Sequence, residues 1–361
     1  MVKSIYITGI GCCGKTVIAY GLLRKFKNNG LRVSYFKPVS IARRRLPSGK
    51  FIDTDVLAIK KSLNLKESVE TISPVVLSER YLELESKAEQ IKVKMEQSFQ
   101  QISNGSDVVI IESYTYPEVL STIGCSVPEL ARKFNSKVIF VVNCKTEDPI
   151  DMLVDRVSLY KCFLEKFSVQ LHGVILNAIP LPYIERVKGF LAPSIKELGV
   201  KILGLVREKP KLIAPTVRDI VEALGAEVLE GEEYLDSFVE DILIGAMSPE
   251  AAIRWFRRAT NAAIVTGGDR TDLIIQAIET KPSVVILTGS LYPAIGVLIR
   301  AKEAKVPILL VPYDTYTTVE KLREVQRIIT PESLKLREKE IVDVIEKDIA
   351  WKEILDEIIE S

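Results

Sequence analysis

The sequence contains one histidine, His172, and five cysteines that show no paired spacing. A single histidine argues against a Ser-His-Asp triad and against a His-ligated metal cluster. We interpret His172, which stands just before an apolar strand, as structural. The cysteines lack the spacing of a zinc site, and an intracellular chain would keep them reduced. They are Cys12, Cys13, Cys125, Cys144 and Cys162.

The chain also lacks an excess of charge and a long hydrophobic run. Its 49 Lys and Arg residues nearly balance its 48 Asp and Glu residues, which gives no reason to expect a nucleic-acid or membrane partner. No apolar run approaches the roughly 20 residues of a membrane span, and the first apolar segment is typical of a strand, not of a signal peptide. We therefore expect a soluble, cytoplasmic protein. A length of 361 residues predicts two domains.

A phosphate-binding loop is present at residues 9–16, where GIGCCGKT fits the pattern G-x-x-x-x-G-K-[ST]. An alternating strand at 3–8 precedes the loop and an apolar-faced helix at 16–27 follows it. Lys15 would reach the β- and γ-phosphates, and the Thr16 hydroxyl would ligate Mg²⁺. The alternative is a plain glycine turn, but the strand, loop and helix together favour a nucleotide site. The predicted nucleotide-binding residues of this stretch are Gly9, Gly11, Cys12, Cys13, Gly14, Lys15, Thr16 and Val17.

Strands and helices alternate beyond the loop, which predicts a doubly wound α/β fold with a parallel sheet. A buried-type strand at 107–113 carries Glu112 near its carboxyl end, on the face where such sheets bind ligands, so Glu112 is a candidate for Mg²⁺ or for orienting water. Asp53 and Asp55 stand where carboxylates cap a helix, and the alternative for both is metal coordination. The basic triplet from Arg43 to Arg45 either binds acidic substrate groups or belongs to a solvated loop.

A second α/β series follows residue 210. Its predicted strands lie at 239–244, 262–266, 283–288 and 307–311. We therefore predict a P-loop domain at 1–208, a linker and helix at 209–235, a smaller α/β domain at 236–330 and a helical tail at 331–361. The tail is charged on one side and apolar on the other, so it can pack on the domain or against another subunit.

The first roughly 200 residues resemble the dethiobiotin-synthetase-type P-loop domain. The resemblance rests on the phosphate loop, FKPV at 36–39, DVLAI at 55–59, VIIE at 109–112 and GVILN at 173–177. It implies that the Mg²⁺ ligands are Thr16, Asp55 and Glu112. It also implies that Lys37 contacts substrate or phosphate, acting with Lys15 as a catalytic residue, and that Asn177 lies near the nucleotide base.

Two segments depart from that family. The loop is one residue shorter than the family's G-T-D-T-x-x-G-K-T and carries Cys12-Cys13, a pair that either fits as small side chains or senses oxidation. The glycine-rich segment that shapes the family's substrate pocket is replaced by ESYTY at 112–116. These changes shift the expectation from catalysis toward nucleotide sensing.

The stretch TGGDRTD at 266–272 matches the signature of the DRTGG domain. A P-loop domain followed by a DRTGG domain resembles the N-terminal region of long bacterial phosphotransacetylases, which implies a regulatory role and subunit contacts. The resemblance ends near Ile329, and we expect no transacetylase activity because only about thirty residues remain. The GGDR turn itself either binds an anion or is a tight turn in which Asp269 caps the next helix.

The leading hypothesis is an ATP- and Mg²⁺-binding regulatory protein that forms a homodimer or higher homo-oligomer, with weak ATPase activity at most. The alternative is an ATP-dependent ligase, of the carboxylating or amide-forming kind, that binds a small acid through Lys37 and residues 43–45. A partitioning-type ATPase is disfavoured because Ile10 stands where that class has a second lysine.

Overall fold

The computed structural model of the chain describes residues 2–41, 44–45, 51–77, 81–146, 148–325 and 329–360. The chain divides into two compact units, Met1–Lys209 with Leu334–Ser361, and Pro210–Ser333. In chain order the strands of the first unit are β1 (Lys3–Gly9), β2 (Val33–Phe36), β3 (Val39–Ile41), β4 (Arg44–Arg45), β5 (Phe51–Ile52), β6 (Val75–Leu77), β7 (Val108–Glu112), β8 (Ser136–Asn143), β9 (Leu171–Ile179) and β10 (Lys201–Arg207). Those of the second unit are β11 (Glu227–Glu230), β12 (Asp241–Ile244), β13 (Ala262–Gly267), β14 (Val284–Thr288) and β15 (Ile308–Leu310).

The helices surround these strands. In chain order they are α1 (Lys15–Asn28), α2 (Thr54–Leu63), α3 (Val69–Ile72), α4 (Ala88–Ser103), α5 (Val127–Lys133), α6 (Met152–Glu165), α7 (Ile184–Arg186), α8 (Ala192–Glu197), α9 (Val217–Leu224), α10 (Pro249–Phe256), α11 (Thr271–Glu279), α12 (Ile295–Ala304), α13 (Thr315–Val325), α14 (Pro331–Asp348) and α15 (Trp351–Glu360).

The first unit is built on a parallel sheet that, within the described residues, has the strand order β10-β9-β8-β1-β7-β2. Its central strands are buried along almost their whole length, as expected for a sheet covered on both faces. Ile7 pairs with Glu112, and Asn143 pairs with Asn177, so the carboxyl ends of these strands meet at one edge. The predicted doubly wound α/β fold is confirmed.

The segment after the phosphate loop forms helix α1 because its apolar residues recur at helical spacing. Ile18, Leu22 and Phe26 are buried on one face, and lysines occupy the last turn, where they complement the helix dipole. The chain leaves the helix through Gly30, whose φ of 85° is readily adopted by glycine.

Helices α14 and α15 pack on the first unit. Gly21 of α1 faces Ile341 and Ile345 of α14 with no side chain of its own, which allows the two helices to approach closely. Between the two helices, Ile349 forms an antiparallel bridge with Gly204 of the outermost strand β10. The C-terminal segment therefore covers one edge of the parallel sheet, which would otherwise leave unpaired backbone groups.

The second unit has a sheet in the order β11-β15-β14-β13-β12, in which β11 is antiparallel and the other pairs are parallel. One face packs on α10, α11 and α12, and the other on α9 and α13. Successive residues of β13 alternate between the two cores: Ile264 belongs to the first and Val265 to the second. This is the second, smaller α/β layer arrangement that the sequence predicts.

Two helical segments of the first unit are irregular. Helix α4 begins at Ala88 and is preceded by a 3₁₀ helix at Tyr81–Lys87. The segment that joins α7 to α8 is a π-helical turn at Val187–Leu191. Pro193 follows this turn and cannot donate an N–H to the preceding turn, which explains the wider backbone spacing there.

Candidate functional site

The phosphate loop joins β1 to α1 at the carboxyl edge of the first sheet. Gly11 and Gly14 have φ values of 58° and 90°, which side-chain-bearing residues rarely adopt. A Cβ at Gly9 would lie 2.2 Å from the Val141 carbonyl oxygen, so a neighbouring strand also demands glycine. The loop is thus folded by its glycines, and Val17, half-buried, sits on the first turn of the helix behind it.

Lys15 folds back over this loop. Its Nζ donates to the Gly11 carbonyl oxygen at 2.9 Å and lies 3.5 Å from that of Gly9, and the side chain is almost fully buried. These backbone oxygens hold a cation in the space that the loop encloses. A phosphate oxygen in that space would give the ammonium a charged partner in place of neutral carbonyls.

The two cysteines of the loop differ in environment. Cys12 is exposed, whereas Cys13 is buried and its Sγ accepts from Lys15 Nζ at 3.6 Å. Burial raises the pKa of the Cys13 thiol above its usual value, despite the nearby ammonium. A raised pKa means little thiolate at neutral pH, which supports the interpretation of Cys13 as a packing residue.

Glu112 is held at the end of β7 by two hydroxyl groups. Thr16 Oγ1 donates to its Oε1 at 2.8 Å, and Tyr35 Oη donates to its Oε2 at 2.7 Å. Burial, followed by the charge of Glu112, raises the pKa of Tyr35 well above its usual value, so the phenol stays a neutral donor. Tyr35 was not among the predicted site residues. Its signal in the sequence was a tyrosine within a buried strand, where the hydroxyl needs a partner.

Lys37 lies among three carboxylates. Its Nζ is 2.9 Å from Asp53 Oδ2, 3.4 Å from Glu112 Oε1 and 3.5 Å from Asp55 Oδ2. All four side chains are buried, with at most 7% of any one exposed. Burial by itself lowers the pKa of Lys37, but the charges of Asp53, Glu112 and Asp55 outweigh it and hold the pKa above its usual value. Lys37 is therefore a charged ammonium group.

Asp53 both caps a helix and pairs with this lysine. Its Oδ1 accepts from the Asp55 backbone N–H at 2.9 Å, which is the predicted N-cap of α2. Its other oxygen contacts Lys37. The sequence predicted the cap, but it gave no sign of the ion pair because the two residues are sixteen positions apart.

Asn177 lies at the carboxyl end of β9 and is hydrogen-bonded to the phosphate loop. Its Nδ2 donates to the Cys13 carbonyl oxygen at 2.9 Å, and a Cβ at Gly14 would lie 2.3 Å from that nitrogen. On the other side, the Gly11 N–H donates to the Thr115 carbonyl oxygen at 2.9 Å. The ESYTY segment therefore holds the loop through its backbone, a role that the sequence did not indicate.

The donors fit a magnesium ion in part. Two ligands of an octahedral Mg²⁺ lie about 3.0 Å apart, given ligand distances of about 2.1 Å. Thr16 Oγ1 and Glu112 Oε1 are 2.8 Å apart, close to that spacing. Among the described residues, however, no group of three or more His, Cys, Asp or Glu side chains is arranged to hold a metal ion. The ammonium group of Lys37 contacts both Asp55 and Glu112 Oε1, one of this pair of oxygens.

A pocket of about 130 Å³ opens beside Ile10 of the loop. Its floor is apolar, with Phe140 and Leu153, and its rim carries Lys145 and Arg156. Of the predicted basic triplet, Arg43 lies outside the described residues, while Arg44–Arg45 form β4. The two cations on the rim of this pocket, Lys145 and Arg156, are ones that the sequence did not single out.

In the second unit the GGDR turn joins β13 to α11. Gly267, at the end of β13, pairs with Thr288, at the end of β14, and Gly289 follows Thr288. Glycines therefore stand at the ends of two neighbouring strands. A Cβ at Gly268 would lie 1.7 Å from the Leu291 carbonyl oxygen, which explains the glycine by close backbone approach. Of the two alternatives for this turn, the cap by Asp269 is not seen, because the N-cap residue of α11 is Arg270, without a side-chain cap.

A parallel sheet with a Walker-type loop between its central strand and a covering helix defines the class of P-loop nucleotide-binding domains. The chain belongs to the AAA domain family, whose model matches residues 3–216, and this domain is followed by a DRTGG domain matched at residues 219–325. The domain order predicted from the sequence is thereby confirmed.

Relatives with this architecture are phosphate acetyltransferases. The chain is 27% identical to that of Pseudomonas putida, over 94% of its own length and 49% of the relative's, and 23% identical to that of Synechocystis sp., over 93% and 49%. It therefore spans about half the length of the curated relatives it matches. Among solved structures, the CBS and DRTGG domains of the regulatory region of Clostridium perfringens pyrophosphatase, complexed with diadenosine tetraphosphate, align at a TM-score of 0.29 and 23% identity, covering 33% of this chain and 50% of that one. No helix in the described ranges is long and apolar enough to cross a membrane.

Proposed function

We propose that the first unit binds ATP with Mg²⁺ and that the protein is regulatory, nucleotide-sensing and cytoplasmic. The observation that carries this proposal is the phosphate loop, with Lys15 over it and Thr16 against Glu112. Loop N–H groups and the N-terminus of the 14-residue helix α1 favour an anion. On nucleotide binding, the Lys15 ammonium group would leave the Gly11 carbonyl oxygen and contact the β- and γ-phosphate oxygens.

When bound, Mg²⁺ would offset the negative charge of the phosphates. Thr16 and Glu112 would hold it, with Asp55 as the third protein ligand once Lys37 leaves room. This small protein set is usual for Mg²⁺, which keeps several waters and is shared with phosphates. Tyr35 keeps the Glu112 carboxylate oriented, and Asn177 keeps the loop in register behind the phosphates.

The segment after Glu112 supports sensing in preference to transfer. The Thr115 carbonyl oxygen accepts a hydrogen bond from the Gly11 N–H of the phosphate loop. In the dethiobiotin-synthetase family that this domain resembles, the corresponding segment is rich in glycine and shapes the substrate pocket. We infer slow or absent turnover, with nucleotide acting on the oligomer. Exposed apolar side chains at Tyr292, Ile295 and Ile299 of the second unit, 57–77% accessible, support a homodimer contact there.

Calorimetry with ATP, ADP and GTP in the presence of Mg²⁺ tests the proposal, alongside light scattering with and without nucleotide. Lys15→Ala should abolish measurable binding, while Lys61→Ala, the same change on the exposed surface of α2, should leave it intact. Absence of ATP binding by the wild-type chain would overturn the proposal. An unchanged mass and hydrodynamic radius on nucleotide addition would overturn its regulatory part.

The second candidate function is an ATP-dependent ligase, favoured by the pocket beside Ile10. Lys145 and Arg156 on its rim suit a small carboxylate, although each is paired with an acid, Glu208 and Asp148 respectively. This function requires ADP release that depends on a small acid. An ADP release rate that no added acid changes would favour the regulatory function instead.

A further inference from the structure

The ammonium group of Lys37 lies among the carboxylates that the family resemblance assigns in part to Mg²⁺. It lies within 3.5 Å of three buried carboxylates, Asp53, Asp55 and Glu112. Burying charged groups away from water is costly unless they are paired, so these carboxylates need a cation close to them. Lys37 supplies one in the absence of a metal ion.

The same ammonium group keeps the metal-binding arrangement open. Lys37 Nζ lies 3.5 Å from Asp55 Oδ2 and 3.4 Å from Glu112 Oε1, so an ion bound by both of these oxygens would lie close to the ammonium group and be repelled by it. This placement agrees with the absence, among the described residues, of three or more His, Cys, Asp or Glu side chains arranged to hold a metal ion. An incoming ion must therefore displace the lysine from two of its three partners.

The third partner is arranged to retain the lysine. Asp53 makes the closest contact with Lys37, at 2.9 Å, and its other oxygen is fixed by the backbone N–H of Asp55. The family resemblance assigns Thr16, Asp55 and Glu112 to the ion but not Asp53, which leaves Asp53 to keep the lysine when the ion binds.

We propose, building on the nucleotide site above, that Lys37 is an internal counter-ion which stands in for Mg²⁺ in the ion-free protein. Binding of Mg²⁺ with nucleotide displaces its ammonium group from Glu112 and Asp55, and Asp53 retains it as a positioning residue. The ammonium group, still in contact with Asp53, then also faces the phosphates. The position of Lys37 thereby depends on whether the ion is bound. Binding of the ion thus changes the contacts that Lys37 makes with the nucleotide.

Thermal unfolding of the full chain, without nucleotide, tests the first half of the proposal. In EDTA, Lys37→Met should lower the unfolding midpoint of the first unit by about 10 °C, because three buried carboxylates lose their cation. Millimolar Mg²⁺ should restore most of that loss in Lys37→Met and shift the wild type by no more than about 2 °C. Lys60→Met, which removes a lysine bonded to the Leu65 and Glu67 carbonyl oxygens, should show no response to Mg²⁺. Equal Mg²⁺ shifts in the wild type and in Lys37→Met would overturn the proposal.

A crystal structure of the wild-type chain with Mg²⁺ and ATP tests the second half, and it applies even if Lys37→Met fails to fold. We expect Lys37 Nζ to keep its contact with Asp53 and to lie more than 4 Å from Glu112. A lysine that stays within hydrogen-bond distance of Glu112 beside the bound ion would refute the displacement. Failure of ATP to bind the wild type would instead overturn the proposed function, and the Mg²⁺ response of Lys37→Met would still be measurable.

Discussion

The contact between α1 and α14 gives a prediction whose size follows from the structure. A Cβ at Gly21 would lie 2.5 Å from Ile345 Cγ1 and 2.9 Å from Ile341 Cγ2, whereas carbon atoms in contact are normally about 3.5–4.0 Å apart. Both isoleucines are 1% exposed, and their branched side chains have few alternative rotamers. Gly21→Ala therefore forces α14 away from α1 by about 1 Å or strains it.

Two opposing effects set the change in the free energy of unfolding that Gly21→Ala causes. Replacing glycine by alanine within a helix stabilises it by about 1 kcal/mol, and overpacking a core costs about 1–3 kcal/mol. The matched control is Gly189→Ala, in the π-helical turn, where a Cβ would meet nothing within 4 Å. Gly189→Ala should raise the free energy of unfolding by up to about 1 kcal/mol. Gly21→Ala should fall below that control by about 1–3 kcal/mol.

Urea unfolding of the first unit, followed by tryptophan fluorescence, measures this difference because Trp351 lies in α15 of the same unit. A double-mutant cycle with Ile345→Ala should show coupling, since removing the isoleucine makes room for the new methyl group. If Gly21→Ala and Gly189→Ala change stability equally, the helices do not pack as described.

Three further predictions concern the loop, the cysteines and the histidine. Gly14→Ala places a methyl group 2.3 Å from Asn177 Nδ2 at a φ of 90°, so calorimetry should detect no Mg²⁺–ATP binding while circular dichroism is unchanged; retained affinity would contradict the described loop. Ellman's reagent at pH 8 should react with the two exposed thiols, Cys12 and Cys162, before unfolding releases the other three, and a faster third thiol would contradict the burial pattern. Burial lowers the pKa of His172, so the unfolded chain binds that proton more readily and stability should decline as the pH falls below about 6.5. His172→Gln should flatten this part of the profile, and an unchanged slope would show that other groups are responsible.

Much of the fold could be predicted because its signals are local. The glycine pattern of residues 9–16 fixes a loop whose φ values few other residues adopt, and the strands on either side of it are continuous apolar runs. The alternation of strands and helices then leaves few arrangements other than a parallel sheet.

The places where prediction failed are also physically understandable. Asp269 appeared well placed to cap α11, but Arg270 takes the N-cap position, and the capping geometry depends on how the turn meets Leu291. The π-helical turn at Val187–Leu191 is a feature whose place no hydrophobic periodicity encodes. The covering of the β10 edge by residues around Ile349 is likewise a long-range contact, since its partner Gly204 is far away in the chain.

The candidate site shows most clearly which features the sequence determined and which only the tertiary structure decided. The sequence alone determined which residues could bind phosphate, because Lys15 and Thr16 belong to one loop whose spacing is itself the signal. Only the tertiary structure decided that Lys37, Asp53 and Glu112 share one buried cluster. The physical reason is that ion pairing depends on distance in space, whereas these three residues come from different segments that meet only when the parallel sheet brings its strand ends together.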